Sequence, residues 1–583
     1  MTSQLGSLLQ DFKQKYHDHP NLVALTTDIV GISEEILNGC QHFDINNIPA
    51  NGFRSTVFKF EQLLKYSLTL KHAKHIDQLH DIITQLHRLL PYFEENLQET
   101  WDDKLVFNHK NMYRTIDFYQ AITGQDVNDP TFKTIFNQVA LAFDHKKDGT
   151  FLAWACFVVT SCVVSKNYFS SLRCLLSNKA KMKVVYKYYH DCKFNSLVHL
   201  LSFGSGIWFE RLIPFFANGC GPSISRKINI KRQTRWQVRL NSVQQKVEVI
   251  ETSDPQIKKK VHCYLNRKDQ RNAAFDQCVM VYIHGGGFIA LSSKGTNNFL
   301  FRFAERLPGM SILAIDISLA TATTAKFPTQ VQEVLDVMLW LQSEHESVKD
   351  ALGFSKPKRI YITGDSSGGF TMIQSIVVMN EINRISNANT IKIPEHIFAL
   401  SPLFICLPMF LPSLIIGIKD LILFPTVLFQ MGMAILPDLI DENGKIVAST
   451  NLSSNEKSFI LEPRHEVIEF FSSYEWLFKD GIFNPVFYPH LQDMSDNTLH
   501  FFSSHDDPII DYGLSFLSRW KGKLTVDVFP VLKHGWFYFE ALATICFRGQ
   551  RKRMDDSENV LFQRFMETLN QPPNKPLEVN DNT

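Results

Sequence analysis

The 583-residue chain carries 60 Lys and Arg against 59 Asp and Glu, a formal charge of +1, with 45% hydrophobic and 20% charged residues. That balance excludes a strongly basic nucleic-acid binder and a disordered chain. The length exceeds what one hydrophobic core usually supports, so two domains are expected, and 47 Phe point to large apolar cores, an apolar pocket, or both.

The first 220 or so residues read as helical. "NLVALTTDIVGISEEIL", "TQLHRLLPYFEENL" and "SSLRCLLSNKAKMKVVYKYYHDCKFNSLVHLLSF" repeat apolar residues at three- and four-residue intervals. Between the first two lies "FDINNIPANGFRS" (43–55), whose Pro49 and Asn51-Gly52 mark a turn. The opening "MTSQLGSLLQDFKQKYHDHP" has no uninterrupted apolar run, so no secretory signal is expected and the cytosol is the expected compartment. Ten scattered cysteines without a CxxC pair read as reduced, buried thiols. His72, His75, His80 and His87 fall on a predicted helix at spacings that make no compact ligand set, so they read as a solvated face.

Two apolar stretches call for a membrane test. "FLAWACFVVTSCVVS" (151–165) is shorter than the roughly 20 residues a spanning helix needs. Residues 402–440 are broken by Pro408, Pro412, Lys419, Asp420 and Pro425. Both are expected to be buried core or apolar surface.

The basic run "SRKINIKRQTR" (225–235) reads as an exposed linker. From about Lys227 strands appear: "RWQVRLNSVQQKVEVIE", "KKKVHCYLN", "CVMVYIH", "SILAIDIS", "RIYITGD", "HIFALSP", "LHFFSSHDD" and "LTVDVFP". Helical stretches fall at about 329–346, 368–384, 511–520 and 556–569. This alternation predicts an α/β architecture, a mostly parallel central sheet with helices on both faces, preceded by an all-helical N-terminal domain. The domains are drawn at 1–225 and 226–570, with an inserted module at about 403–497 and a disordered polar tail at 571–583.

The chemistry-bearing residues stand at the ends of these strands. "YITGDSSGGF" runs a strand into Gly364-Asp365-Ser366-Ser367-Gly368, the G-x-S-x-G of a nucleophile elbow, with Ser366 on a sharp strand-to-helix turn. No Lys follows in the position a phosphate-binding loop requires. An activated serine needs a base and an orienting acid, which in an α/β-hydrolase follow in the order Asp or Glu, then His. "HDDPIID" (505–511) and "KHGWF" (533–537) supply them, with His534 as the base and Asp506, Asp507 and Asp511 competing for the acid. "VYIHGGGFIALSS" (281–293) is rarer by chance than G-x-S-x-G. Its Gly285, Gly286 and Gly287, with His284 pinning the loop and Ser367 after the nucleophile, are the candidate oxyanion hole.

"HGGGF", "GDSSGG", "DPIID" and "HGWF", in this order, resemble the hormone-sensitive lipase family of α/β-hydrolases, as does "DISLATATTAKFP" (316–328). "HFDINNIPANGFRS" (42–55) is similar to the N-terminal domain of the family's animal-type members, so the resemblance runs over about 25–545. It makes Ser366 the nucleophile, His534 the general base and Asp507, directly before proline, the acid; Asp511 takes a second, non-catalytic position. It implies a neutral lipase acting on diacylglycerol, triacylglycerol, cholesteryl or retinyl esters at the lipid droplet surface, without metal or cofactor. A homodimer and a fatty-acid-binding protein as partner of the N-terminal domain are implied too.

The chain departs from the family at Phe370, at Ser367 in D-S-S-G, at "TATT" (321–324), and at His505 and Asp506, where the family has apolar residues. The insert lacks Arg-Arg-x-Ser, which puts control by that kinase in doubt. A carboxylesterase for small soluble esters and a non-catalytic lipid-droplet scaffold are the rival readings.

Overall fold

The computed structural model describes residues 2–70, 74–123, 225–231, 235–252, 260–268, 273–321, 325–388, 390–417, 420, 423, 425–450, 463–529, 532, 534–538 and 551–569. The apolar stretch 151–165, the helices expected near 171–204, His72, "TATT" from 322 on and the tail 571–583 lie outside them. Of the cysteines, Cys40, Cys263, Cys278 and Cys406 lie within them, all free and buried.

The N-terminal part is helical. Helices α1 (Thr2–Lys15), α2 (Pro20–Gly39), α3 (Gly52–Ser67), α4 (Lys74–Leu97), α5 (Trp101–Lys104) and α6 (His109–Thr123) bury one apolar stripe each. The Asn51-Gly52 pair ends the predicted turn and opens α3, because the Asn51 side chain caps it by accepting from the Arg54 N–H at 3.0 Å.

The part that follows is built on an eight-stranded sheet of order β1-β4-β6-β5-β7-β8-β11-β12. Its strands are β1 (Ser225–Lys231), β4 (Lys260–Asn266), β5 (Cys278–Ile283), β6 (Ser311–Ile315), β7 (Arg359–Asp365), β8 (His396–Leu400), β11 (Thr498–Ser504) and β12 (Lys523–Phe529). Pairings are parallel from β6 through β12 and antiparallel at β1/β4 and β4/β6. The run at 225–231, expected as a linker, is therefore an edge strand. Exposed Arg226, Lys227 and Lys231 on it discourage edge-to-edge pairing with another chain. The hairpin β2 (Trp236–Asn241) and β3 (Lys246–Glu251) forms its own two-stranded sheet, and β9 (Leu439–Ile440) with β10 (Ile446–Ala448) makes a second.

Strand β5 shows why the sheet is covered on both faces. All six of its residues are buried, and the period-2 alternation sorts them into two cores. Val279, Val281 and Ile283 join the core that includes helices α7 (Thr329–Gln342) and α8 (Ser367–Ser386). Met280 and Tyr282 join Phe299, Phe303, Phe562 and Phe565, the last two from α9 (Arg551–Leu569). The predicted helix 329–346 stops earlier, at Gln342. The predicted Pro-broken segment 402–440 is mostly buried, from Phe404 through Leu436. Among the described residues no helix is long and apolar enough to cross a membrane.

Candidate active site

The loops after β5, β7, β11 and β12 leave the same edge of the sheet, the carboxyl ends of its parallel strands, where open α/β sheets bind ligands. Ser366 sits between β7 and α8 with φ 51° and ψ −124°, a conformation rare for a residue with a Cβ. Backbone hydrogen bonds hold it there. Its N–H donates to Leu400 O at 3.1 Å, and its carbonyl accepts from Gly369 at 3.0 Å and Leu403 at 2.9 Å.

The flanking glycines answer to close approach. A Cβ on Gly364 would lie 2.6 Å from the Gly368 carbonyl oxygen, and one on Gly368 would lie 2.5 Å from the His284 carbonyl oxygen. Both obstacles are backbone, which cannot swing aside. The start of α8 thus packs directly on the end of β5, and this contact brings the glycine loop to the serine.

Ser366 Oγ lies 3.0 Å from His534 Nε2, and His534 Nδ1 lies 3.0 Å from Asp507 Oδ1. Asp507 is fully buried and also accepts from the Ile509 N–H at 3.1 Å and the Ser503 hydroxyl at 3.3 Å. With a carboxylate at Nδ1, the neutral imidazole carries its proton there and leaves Nε2 bare toward the serine. Burial works against a charged His534. The Asp507 carboxylate outweighs it by charge and hydrogen bond, with Asp420 and Asp365 adding, and holds the imidazole pKa above its ordinary value.

The three competing aspartates have separate partners. Asp507 faces His534, Asp506 pairs with Lys59 of α3, and Asp511 accepts from the N–H groups of Gly52 at 2.7 Å and Ser413 at 2.9 Å. His505, the other departure from the family pattern, meets Ser55 on α3, with 3.2 Å between Nδ1 and Oγ.

The five residues expected at the oxyanion hole divide into two groups. Gly285 spends its N–H on Asp365 Oδ1 at 3.1 Å, so it is not a free donor. His284 is fully buried, turns Nδ1 to the Gly285 carbonyl at 2.8 Å, and is kept below its ordinary pKa by burial. These two shape the loop. The N–H groups of Gly286, Gly287 and Ser367 have no internal acceptor among the described residues. Gly286 has φ +108°, open to glycine alone in practice, and its carbonyl accepts from Ala290 N–H at 3.0 Å.

Sequence reasoning missed Tyr282 and Asp365 as part of this loop. The Tyr282 hydroxyl donates to Asp365 Oδ1 at 2.5 Å, so β5 and β7 together fix the carboxylate that holds Gly285. The signal was a polar residue between Gly364 and Ser366 at a fully buried strand end. Phe370, where the family often has Asn or His, is buried between Phe288 and Phe483, with ring centroids 6.0 Å from each. It backs the glycine loop with an apolar wall.

A cavity of about 740 Å³, counted to its open mouth, reaches Ser366, Ser367 and Gly287. Its walls are apolar: Leu407, Phe429, Met431 and Phe471 come from the interrupting segment and Tyr119 from α6. Tyr119 could not be placed there from sequence, since it is nearly 250 residues from the serine.

A family model described as the alpha/beta hydrolase fold matches residues 280–408. Hormone-sensitive lipase of Mus musculus is 29% identical over 201 residues, 33% of this chain and 24% of the relative. That of Bos taurus is 31% identical over 151 residues, 26% of this chain and 18% of the relative. An ethyl acetate hydrolase of Pseudomonas putida is 30% identical over 105 residues, covering 18% and 30%. The match spans a quarter or less of the length of the lipases. Among solved structures, an esterase of Pyrobaculum calidifontis has a TM-score of 0.41 at 16% identity, over 64% of this chain and 93% of the other.

Proposed function

We propose that the chain is a serine hydrolase of acyl esters of neutral lipids, a reading supported by the likeness of residues 280–408 to the alpha/beta hydrolase fold and of part of the chain to hormone-sensitive lipases. The observation that carries the reading is the unbroken line from Ser366 Oγ through the His534 ring to Asp507 Oδ1, with 3.0 Å at each of its two hydrogen bonds, opening on an apolar cavity.

Ser366 Oγ attacks the ester carbonyl while His534 Nε2 takes its proton. Asp507 fixes the tautomer and stabilises the imidazolium. The carbonyl oxygen becomes an oxyanion that accepts from the N–H groups of Gly286, Gly287 and Ser367, each donor contributing about 3 kcal/mol to the transition state. Collapse breaks the bond to the alkoxy oxygen, His534 gives it the proton, and the alcohol leaves. Water then attacks the acyl-enzyme with His534 again as base, releasing the acid and restoring Ser366.

The cavity beside the serine takes the acyl chain, and its apolar walls favour long aliphatic esters such as acylglycerols, cholesteryl and retinyl esters. Work at a lipid droplet surface from the cytosol, a homodimer and a fatty-acid-binding partner follow from the resemblance alone.

The test compares the purified protein with its Ser366→Ala variant on short-chain and on emulsified long-chain esters. Hydrolysis of the long esters lost in the variant supports the proposal. Activity confined to short soluble esters favours the carboxylesterase, and no difference on any ester removes the enzyme.

A further inference from the structure

We propose that one face of helix α3, far from the reacting atoms in sequence, positions the catalytic aspartate. The inference rests on the reading of Asp507 as the acid that orients His534. Gly52, Ser55 and Lys59 are spaced by three and four residues, so they share one face of α3. That face meets the loop after β11 and the first turn of the helix that follows it, Ile510–Leu517, on both sides of Asp507. Ser55 Oγ lies 3.2 Å from His505 Nδ1, Lys59 pairs with Asp506, and the Gly52 N–H donates to Asp511 at 2.7 Å. The Phe58 ring adds a contact to His505, 6.2 Å between centroids.

The position is a tight one. A Cβ on Gly52 would stand 2.8 Å from Asp511 Cγ, so helix and loop leave no room for a side chain. The ion pair is enclosed as well, with Lys59 14% and Asp506 3% exposed. Removing one partner of such a pair leaves a buried charge without compensation, and the loop must move to hydrate it. Asp507 is the next residue, and Ser504 ties the same loop to the histidine loop by accepting from the N–H groups of Asp506 at 3.1 Å and Leu532 at 2.9 Å. A displaced Asp506 therefore tilts Asp507 away from His534, and the imidazole loses part of the partner that keeps its pKa raised.

Lys59 and Ser55 are positioning residues, and their signature is in kcat and the pH profile. In the full-length protein, with a p-nitrophenyl ester as probe, Lys59→Met lowers kcat about tenfold with KM within about twofold. The acid limb of kcat/KM moves down by about half a pH unit, because a less well held Asp507 raises the His534 pKa less. Lys59→Arg keeps the pair and stays near the parent. Should Lys59→Met fail to fold by circular dichroism, Ser55→Ala decides, with a smaller loss of kcat and a limb moved in the same direction. A folded Lys59→Met, or in its absence Ser55→Ala, with parental kcat and acid limb overturns the inference when Asp507→Asn is inactive. An active Asp507→Asn overturns the catalytic reading itself, and the inference with it.

Discussion

At Ser366 the backbone stands at φ 51° and ψ −124°, a strain of about 1–3 kcal/mol that the hydrogen bonds to Leu400, Gly369 and Leu403 hold in place. It turns Oγ toward His534 Nε2 and leaves the Ser367 N–H without an acceptor among the described residues, as the proposed oxyanion donor requires. Asp507→Asn preserves the shape of the acid but gives His534 an amide that can hold the wrong tautomer. A fall in kcat of about 10⁴-fold with little change in KM is expected, read by steady-state kinetics on a soluble ester. The pH dependence has a definite sign. The proposed mechanism needs neutral His534, and the Asp507 carboxylate raises its pKa, so the acid limb of kcat/KM is expected above about 6.5, the ordinary histidine value. Activity rises with pH through that limb, and a pH–rate profile on a non-ionising ester measures it.

Elements decide how the donors meet the nucleophile. Strand β5 ends against the first turn of α8, and the Gly368–His284 contact is the joint. Gly368→Ala puts a methyl group against backbone at both Ile283 and His284. The expected cost is about 1–3 kcal/mol of stability, with ester hydrolysis lost more steeply than the thermal midpoint falls, since the displaced loop carries the proposed oxyanion donors. Paired melting curves and kcat measurements check this. The two glycine motifs were legible in the sequence because close backbone approach admits no other residue. Which N–H groups remain for substrate was not legible. Asp365 claims Gly285 only because β5 and β7 are adjacent in the sheet, and adjacency of strands is a tertiary fact.

Across the whole molecule the N-terminal helices do more than precede the hydrolase half. Rings from both join in one core, Phe118 on Phe410 at 4.8 Å and Phe107 on Phe478 at 5.3 Å between centroids. The ion pair Arg519–Asp102 at 2.7 Å also links the two parts, but it is exposed and contributes little. Tyr119, from the last turns of α6, packs on Phe429 with ring centroids 5.4 Å apart and closes one wall of the cavity. Tyr119→Leu, which keeps the wall apolar while removing the ring, lengthens that space. The ratio of kcat/KM for long over short acyl esters should rise several-fold, since each added methylene that finds room contributes about 0.8 kcal/mol. A p-nitrophenyl ester series gives the ratio directly. A flat series would place the acyl chain elsewhere.

Local rules wrote much of this protein into its chain. Period-2 and period-3.6 apolar patterns named the alternating strands and helices, and chain order with turn chemistry singled out Ser366, His534 and the glycine loop. The patterns misjudged 225–231, where an edge strand and a solvated linker share the same basic, half-exposed composition. Position alone left Asp506, Asp507 and Asp511 level, because all three stand within seven residues after one strand. Packing separates them: one side of that loop faces His534 and the other faces α3, more than 400 residues earlier. Contacts at such separation leave no periodic trace in sequence, so the partner of each aspartate, like the tyrosine in the pocket wall, exists only once the chain has folded.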